Sequence, residues 1–411
     1  MTLPGRRKRV LIYSHDSFGL GHLRRCRAIA QGLVAADPEL SVLILSGSPI
    51  IGRFDFGERV DFVRIPGIIK LANGEYTTLA LGIDLEQTLA MREAIIRHTA
   101  LAYAPDLFIV DKEPLGLRGE VRDTLALLRG RGCPVVLGLR DVLDDPAVLA
   151  DEWRRKGAVA ALAELYDEIW VYGLPQICDP LDGLELPPSV PRKTVFTGYL
   201  RRPLPVPAAA SNSVAAQAFA GDARYLLVTA GGGGDGDAML DWVLRAYESG
   251  AVLPFPPLFV LGPFMPADRQ QHLRLRIQAV PEAAAITFDA YLETLIDRAA
   301  AVVTMGGYNT FCEVLSFDKP ALIVPREQPR QEQRIRAERA SSLGLAAVLR
   351  ANGPRATDAM ITALRQLGQQ APPSTGVVPG LLDGIENVQR LARRIMGRTA
   401  ARLLPIAAAG G

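Results

Sequence analysis

Four stretches of this 411-residue sequence hold residue types at spacings that suit chemistry on an anionic ligand. The first is Ser17-Phe18-Gly19-Leu20-Gly21-His22-Leu23-Arg24-Arg25, which follows an apolar run and opens an amphipathic one. Glycine permits a sharp turn and close approach of backbone to ligand, and helix-start amides favour an anion. Gly19 and Gly21 are therefore binding candidates. On the plainest reading His22 packs or caps the helix start. Facing a ligand, an imidazole is instead a general base, because its pKa lies near neutrality. His15 and Asp16 end the same strand, so Asp16 would orient the imidazole or be the base itself. His22 and then Asp16 are the catalytic candidates.

The second stretch, Thr229-Ala230-Gly231-Gly232-Gly233-Gly234-Asp235-Gly236-Asp237, again lies between a strand and a helix. Its glycines are too dense for an ordinary turn and suit a diphosphate cradle. The third runs Thr304-Met305-Gly306-Gly307-Tyr308-Asn309-Thr310-Phe311-Cys312-Glu313, and Asp318-Lys319-Pro320 follows. Gly306, Gly307, Asn309 and Thr310 fall at another helix start. Glu313, well inside that helix, is either a solvated acid or a carboxylate accepting both hydroxyls of a ribose. The fourth, Gln331-Glu332-Gln333-Arg334, opens a charged helix from which Glu332 and Gln333 would reach sugar hydroxyls.

Two nucleotide enzymes are set aside by what these loops lack. A dinucleotide fingerprint needs a third glycine where Arg24 stands and an acid where strand two ends in Ser46-Gly47-Ser48. The second loop has no Gly-Lys-Ser/Thr ending, which disfavours an ATPase.

Short apolar runs position these loops. Val10–Tyr13, Val42–Leu45, Phe62–Ile65, Leu107–Val110, Val135–Leu139 and Ile169–Val171 read as strands, with helical patterns near 21–36, 84–103, 117–130 and 146–165. Continuous apolar runs are expected of parallel strands covered on both faces. A Pro-rich stretch from Arg201 reads as a linker, and the alternation restarts at Tyr225. The expected organisation is a first domain over 1–203, a second over 204–385, and a last helix and tail over 386–411 that crosses back. Two such α/β domains place ligands beyond the carboxyl ends of their strands.

Composition narrows the classes. A net charge of +2 gives no reason to expect nucleic acid. Cys26, Cys133, Cys178 and Cys312 form no CxxC pair, so a disulfide framework or zinc site is not expected. No window approaches the roughly 20 apolar residues of a membrane span. The expectation is a cytoplasmic enzyme with at most peripheral membrane contact through its basic start, and no metal site.

Taken together, the motifs resemble the GT-B glycosyltransferases, most of all the peptidoglycan N-acetylglucosaminyltransferase group and the predicted glycosyltransferases related to it. Gly19-x-Gly21-His22 matches that group's first loop and also resembles the Gly-x-Gly-His-x-x-Arg of pseudaminic-acid-pathway UDP-sugar hydrolases. Gly231, Gly232, Gly233 and Gly234 fall at the second glycine loop. Gly307, Thr310, Glu313 and Pro320 fit the donor signature, and Glu332-Gln333 the acidic/Gln-Gln pair. Arg336 departs from the group's usual Asn, and Gly306 from its helix-opening Ser. The resemblance implies two Rossmann-like domains facing across a cleft, with the second binding the donor. It implies inverting, metal-independent transfer from a UDP-sugar in cell-envelope or polysaccharide biosynthesis, with no cofactor beyond that substrate. Glu313 would hold the ribose, and Glu332 and Gln333 the transferred sugar. Residues 66–82 carry no motif that names the acceptor, which is a saccharide, a lipid-linked sugar or a small molecule. A nucleotide-sugar hydrolase or epimerase, and a noncatalytic nucleotide-sugar binder, are the alternatives.

Overall fold

The computed structural model describes residues 7–16, 20–70, 75–204, 224–232, 234–351 and 354–403. The chain divides into two α/β units. One comprises Met1–Pro175, Asp179–Leu200 and Asp383–Gly411, the other Gln176–Cys178 and Arg201–Leu382.

In the first unit the elements run β1 (Lys8–Ser14), α1 (Gly21–Ala36), β2 (Leu40–Ser46), β3 (Val60–Arg64), β4 (Ile68–Lys70), β5 (Tyr76–Thr78), α2 (Leu85–Tyr103), β6 (Leu107–Asp111), α3 (Arg122–Gly130), β7 (Val135–Arg140), α4 (Pro146–Lys156), α5 (Ala158–Leu165), β8 (Glu168–Tyr172), α6 (Ser189–Arg192) and β9 (Thr194–Phe196). Seven of the strands form a parallel sheet in the order β3-β2-β1-β6-β7-β8-β9. Val10, Leu11, Ile12 and Tyr13 are wholly buried, as strands covered on both faces must be. β4 and β5 form a separate antiparallel hairpin within the stretch read as an acceptor loop.

The second unit runs β10 (Leu226–Thr229), α7 (Asp237–Glu248), β11 (Pro257–Val260), α8 (Ala267–Gln278), β12 (Ala284–Ile286), α9 (Leu292–Arg298), β13 (Ala301–Thr304), α10 (Tyr308–Ser316), β14 (Ala321–Ile323), α11 (Glu332–Ser342), β15 (Ala347–Val348) and α12 (Thr357–Leu367). Its six strands are parallel in the order β12-β11-β10-β13-β14-β15. Each unit has its own apolar core.

The last helix, α13 (Gly384–Leu403), packs in the first unit. Val388, Leu391, Ala392 and Ile395 bury one stripe of it, the i, i+3, i+4, i+7 pattern of an amphipathic helix. Gln389 donates to Gly32 O at 2.9 Å, and Asn387 to Thr197 O at 2.8 Å.

Two local departures from the sequence reading have plain causes. The helix expected over 146–165 is broken into α4 and α5 at Gly157, whose φ of +65° ends the first helix in a left-handed cap. Arg201 and Arg202, read as linker, belong to the second unit because Arg202 docks there. Its backbone N–H donates to Ser316 Oγ at 2.9 Å and its guanidinium to Asn309 Oδ1 at 2.7 Å.

In both sheets the first strand stands between neighbours reached by opposite excursions of the chain: β1 between β2 and β6, β10 between β11 and β13. Such reversals leave a crevice outside the strand carboxyl ends, where doubly wound folds bind ligands.

Candidate functional site

In the first unit the candidate residues gather at the carboxyl ends of β1 and β6, paired in register with Tyr13 opposite Val110. α1 begins at Gly21, so His22 lies in its first turn. His22 Nδ1 lies 2.5 Å from Asp111 Oδ2. Arg25, one turn further along α1, forks the same carboxylate, Nε to Oδ1 and Nη2 to Oδ2, each at 2.8 Å. Asp111 and Arg25 are both buried, whereas the His22 side chain keeps 17% of its surface exposed.

Electrostatics fix the protonation of this trio. Burial alone would raise the Asp111 carboxyl, but Arg25 and His22 outweigh it and hold the group well below the usual carboxylate range. Burial lowers the His22 imidazole, against the pull of Asp111. The positive end of α1 also disfavours imidazolium. His22 is therefore neutral near pH 7. With Asp111 ionised, the ring hydrogen belongs on Nδ1, and Nε2 carries the lone pair.

Asp16 serves a different geometry. Its Oδ1 accepts the Leu23 N–H at 3.1 Å and its Oδ2 the Ser46 hydroxyl at 2.5 Å, fastening the α1 start to the ends of β1 and β2. Burial raises its pKa. His15 stands edge-on to His22 with centroids 5.6 Å apart, and burial lowers its pKa to about 3. Gly19 lies outside the described residues.

A buried polar chain leads from this point to the hairpin. Tyr13 donates to Glu120 Oε1 at 2.5 Å, and Arg92 forks Glu120 at 2.6 Å on both oxygens. Arg92 Nη1 then donates to Pro66 O at 2.5 Å, just before the hairpin.

In the second unit the glycine turns leave the paired strands β10 and β13 by one device. Thr229 Oγ1 accepts the Gly231 N–H at 3.2 Å, and Thr304 Oγ1, its register partner, the Gly306 N–H at 3.3 Å. Gly231 has φ +65° and Gly306 φ +76°, the left-handed region that glycine enters without strain. A Cβ on Gly306 would stand 2.6 Å from Ile323, so that turn also packs tightly. Gly307 precedes α10, and a Cβ there would meet nothing within 4 Å. Gly232 and Gly234 lie in the first turn, while Gly233 is outside the described residues.

Two arginines that the sequence reading did not assign to the site hold these loops. Arg336 is wholly buried, donates to Gly306 O at 2.8 Å and stacks over Tyr308. Arg326 pairs with Asp235 of the glycine turn and, at 2.5 Å, with Glu332 of α11. Its backbone N–H donates to Gln333 Oε1 at 3.1 Å. The second unit thus gathers Gly231, Gly232, Gly234, Gly306, Gly307, Glu332 and Gln333. Asn309 and Thr310 are buried in the first turn of α10. Glu313 is not the solvated acid of the plain reading but fully enclosed, so a ligand reaches it only if a neighbour moves.

Sequence reasoning missed Asp111 and gave no role to Arg25, Arg202 or Arg326. An acid directly after the apolar run Leu107–Val110 was the available signal for Asp111, since strand ends face the crevice.

Residues 266–370 match the glycosyltransferase family 28 C-terminal domain, a span that includes Gly306, Glu313 and Gln333. A comparison with curated protein sequences finds no match. Among solved structures, the chain resembles Phytolacca americana UGT2, complexed with UDP-2-fluoro-glucose and pterostilbene. That likeness has 14% identity and TM-score 0.58, covering 96% of this chain and 98% of that one. It also resembles the glycosyltransferase VinC in complex with dTDP (18% identity, TM-score 0.56, covering 96% and 100%). A third likeness is to Acinetobacter baumannii MurG (12% identity, TM-score 0.52, covering 94% and 99%). The fold is the α/β, two-domain GT-B type with parallel sheets. The family match and the fold both support glycosyl transfer.

Proposed function

We propose that the chain transfers a sugar from a nucleoside diphosphate donor, a UDP-sugar, to a hydroxyl acceptor with inversion. The observation that carries this reading is the His22–Asp111 pair, in which the imidazole Nδ1 lies 2.5 Å from a buried carboxylate oxygen. Such a pair presents Nε2 as a general base. The acceptor oxygen attacks the anomeric carbon as Nε2 takes its proton. The bond to the donor phosphate breaks, and the nucleoside diphosphate leaves with the electron pair. Backbone amides at Gly231–Gly234 and at the Gly306-Gly307 start of α10 meet that charge, a role that requires no metal. Glu313 takes the ribose once a neighbouring side chain moves aside, and Glu332 and Gln333 take the transferred sugar. The family 28 match over this unit and the nucleotide complexes named for two structural relatives support the donor assignment.

The hairpin β4–β5, tied through Arg92 and Glu120 to the end of β1, is the acceptor side in this reading. The enzyme works in the cytoplasm, with the membrane touched at most peripherally. No described helix is long and apolar enough to cross one.

The test is a panel of nucleotide sugars, each with and without saccharide, lipid-linked and small-molecule acceptors, read by nucleotide release and product mass. Acceptor-dependent release, with an acceptor heavier by one glycosyl unit, is the expected result. Equal release without acceptor identifies a hydrolase. Binding without turnover identifies a noncatalytic binder.

A further inference from the structure

We propose that Arg326 is a phosphate-binding residue of the donor site, held before binding by Asp235, which the donor diphosphate displaces. The inference rests on the donor reading above and adds a residue and an exchange to it. Arg326 follows β14, and its guanidinium joins two loops: Nη1 pairs with Asp235 of the glycine turn, Nη2 with Glu332 at the start of α11.

The two partners are not equivalent. The Glu332 side chain is only 4% exposed, whereas Asp235 is 45% exposed. A buried carboxylate cannot give up its cation cheaply, but an exposed one swings into water at little cost. Glu332 therefore anchors the guanidinium and Asp235 is the exchangeable partner. Nε–H is a second donor to be satisfied: it is buried and, among the described residues, has no hydrogen-bond partner.

Charge points to the incoming ligand. Asp235 holds the same guanidinium that a phosphate would take, so it competes with a diphosphate until it withdraws. Once it withdraws, a guanidinium faces a glycine turn whose amides also suit phosphate oxygens, and arginine is well shaped for phosphate. The two variants should therefore act in opposite directions. Arg326→Gln removes a charged donor, which weakens binding by about ten- to hundredfold. Asp235→Asn removes the competitor and tightens it.

The test is calorimetric titration of the full chain with UDP and with uridine, for wild type, Arg326→Gln and Asp235→Asn. The expected result is wild-type UDP binding, a ten- to hundredfold loss in Arg326→Gln, a gain in Asp235→Asn, and uridine affinity unchanged in both. Wild-type binding with an unchanged Arg326→Gln, or weaker UDP binding by Asp235→Asn, overturns the exchange and leaves the donor reading standing. A wild type that binds no nucleoside diphosphate overturns both.

Discussion

His22 Nδ1 and Asp111 Oδ2 meet at 2.5 Å, and Arg25 forks both oxygens of the same carboxylate. One buried anion therefore sets both the ring orientation of the proposed base and the position of a buried cation. These two duties separate experimentally. Asp111→Asn keeps the shape but removes the charge that holds the hydrogen on Nδ1. Turnover should fall by ~10²–10⁴-fold as the base is lost. The variant should also melt earlier, because Arg25 is left buried without its anion, a defect worth about 3–5 kcal/mol. Donor affinity should hold, since the donor is assigned to the second unit. Turnover close to wild type in a folded Asp111→Asn protein would remove the orienting role.

The neighbouring glycines Gly306 and Gly307 predict opposite outcomes for the same substitution. Gly306→Ala puts a Cβ 2.6 Å from Ile323 on a backbone with φ +76°, so it should destabilise the second unit. Gly307→Ala meets open space at φ −59°, so the melting temperature should hold. Its methyl stands at the start of α10, where the diphosphate is proposed to approach, and UDP affinity should drop. A Gly307→Ala protein that binds UDP normally would move the phosphate elsewhere.

His15 predicts a pH dependence of stability. Its pKa falls from about 6.5 unfolded to about 3 folded, because burial disfavours the charged ring. Between those values the unfolded chain binds a proton that the folded chain refuses. Stability therefore rises with pH across that window, is fully present above about 6.5, and is lost as pH falls toward 3. Asp111 and Glu113 are held below the usual carboxylate range, so their contributions are full only above their ordinary values of 3.8 and 4.5 and shrink as pH falls below them, a loss common to wild type and a His15 variant. Denaturant unfolding at pH 4 and pH 7 should show a smaller difference for His15→Gln than for wild type. An equal difference would assign the acid sensitivity to other groups.

The legible part of this molecule was what sits next to itself in sequence. The apolar runs gave both parallel sheets, because strands covered on both faces have no polar side to show. The turns at Gly21 and at Gly306-Gly307 are where glycines leave strand ends. Glutamate and glutamine at the start of α11 stand where the motif put them. Asp111 was not legible as the partner of His22: 89 residues separate them, and only the pairing of β1 with β6 brings them together. Arg202 looked like linker because its neighbours are prolines, and its contact with Asn309 spans 107 positions. Arg326 and Asp235 are 91 positions apart, so nothing local in the sequence joins them. Sequence patterns report local periodicity, whereas these pairs depend on which strands are neighbours.

The most direct measurement is the turnover of His22→Ala beside its UDP affinity, using whichever donor and acceptor the panel identifies. A positioned base contributes ~10²–10⁴-fold, so turnover should fall by that order. UDP affinity should stay within error, because His22 belongs to the first unit and the donor residues to the second. If His22→Ala turned over like wild type while Asp16→Asn was inactive, the base would be Asp16. If both variants kept full activity, the catalytic account of the first unit would be wrong.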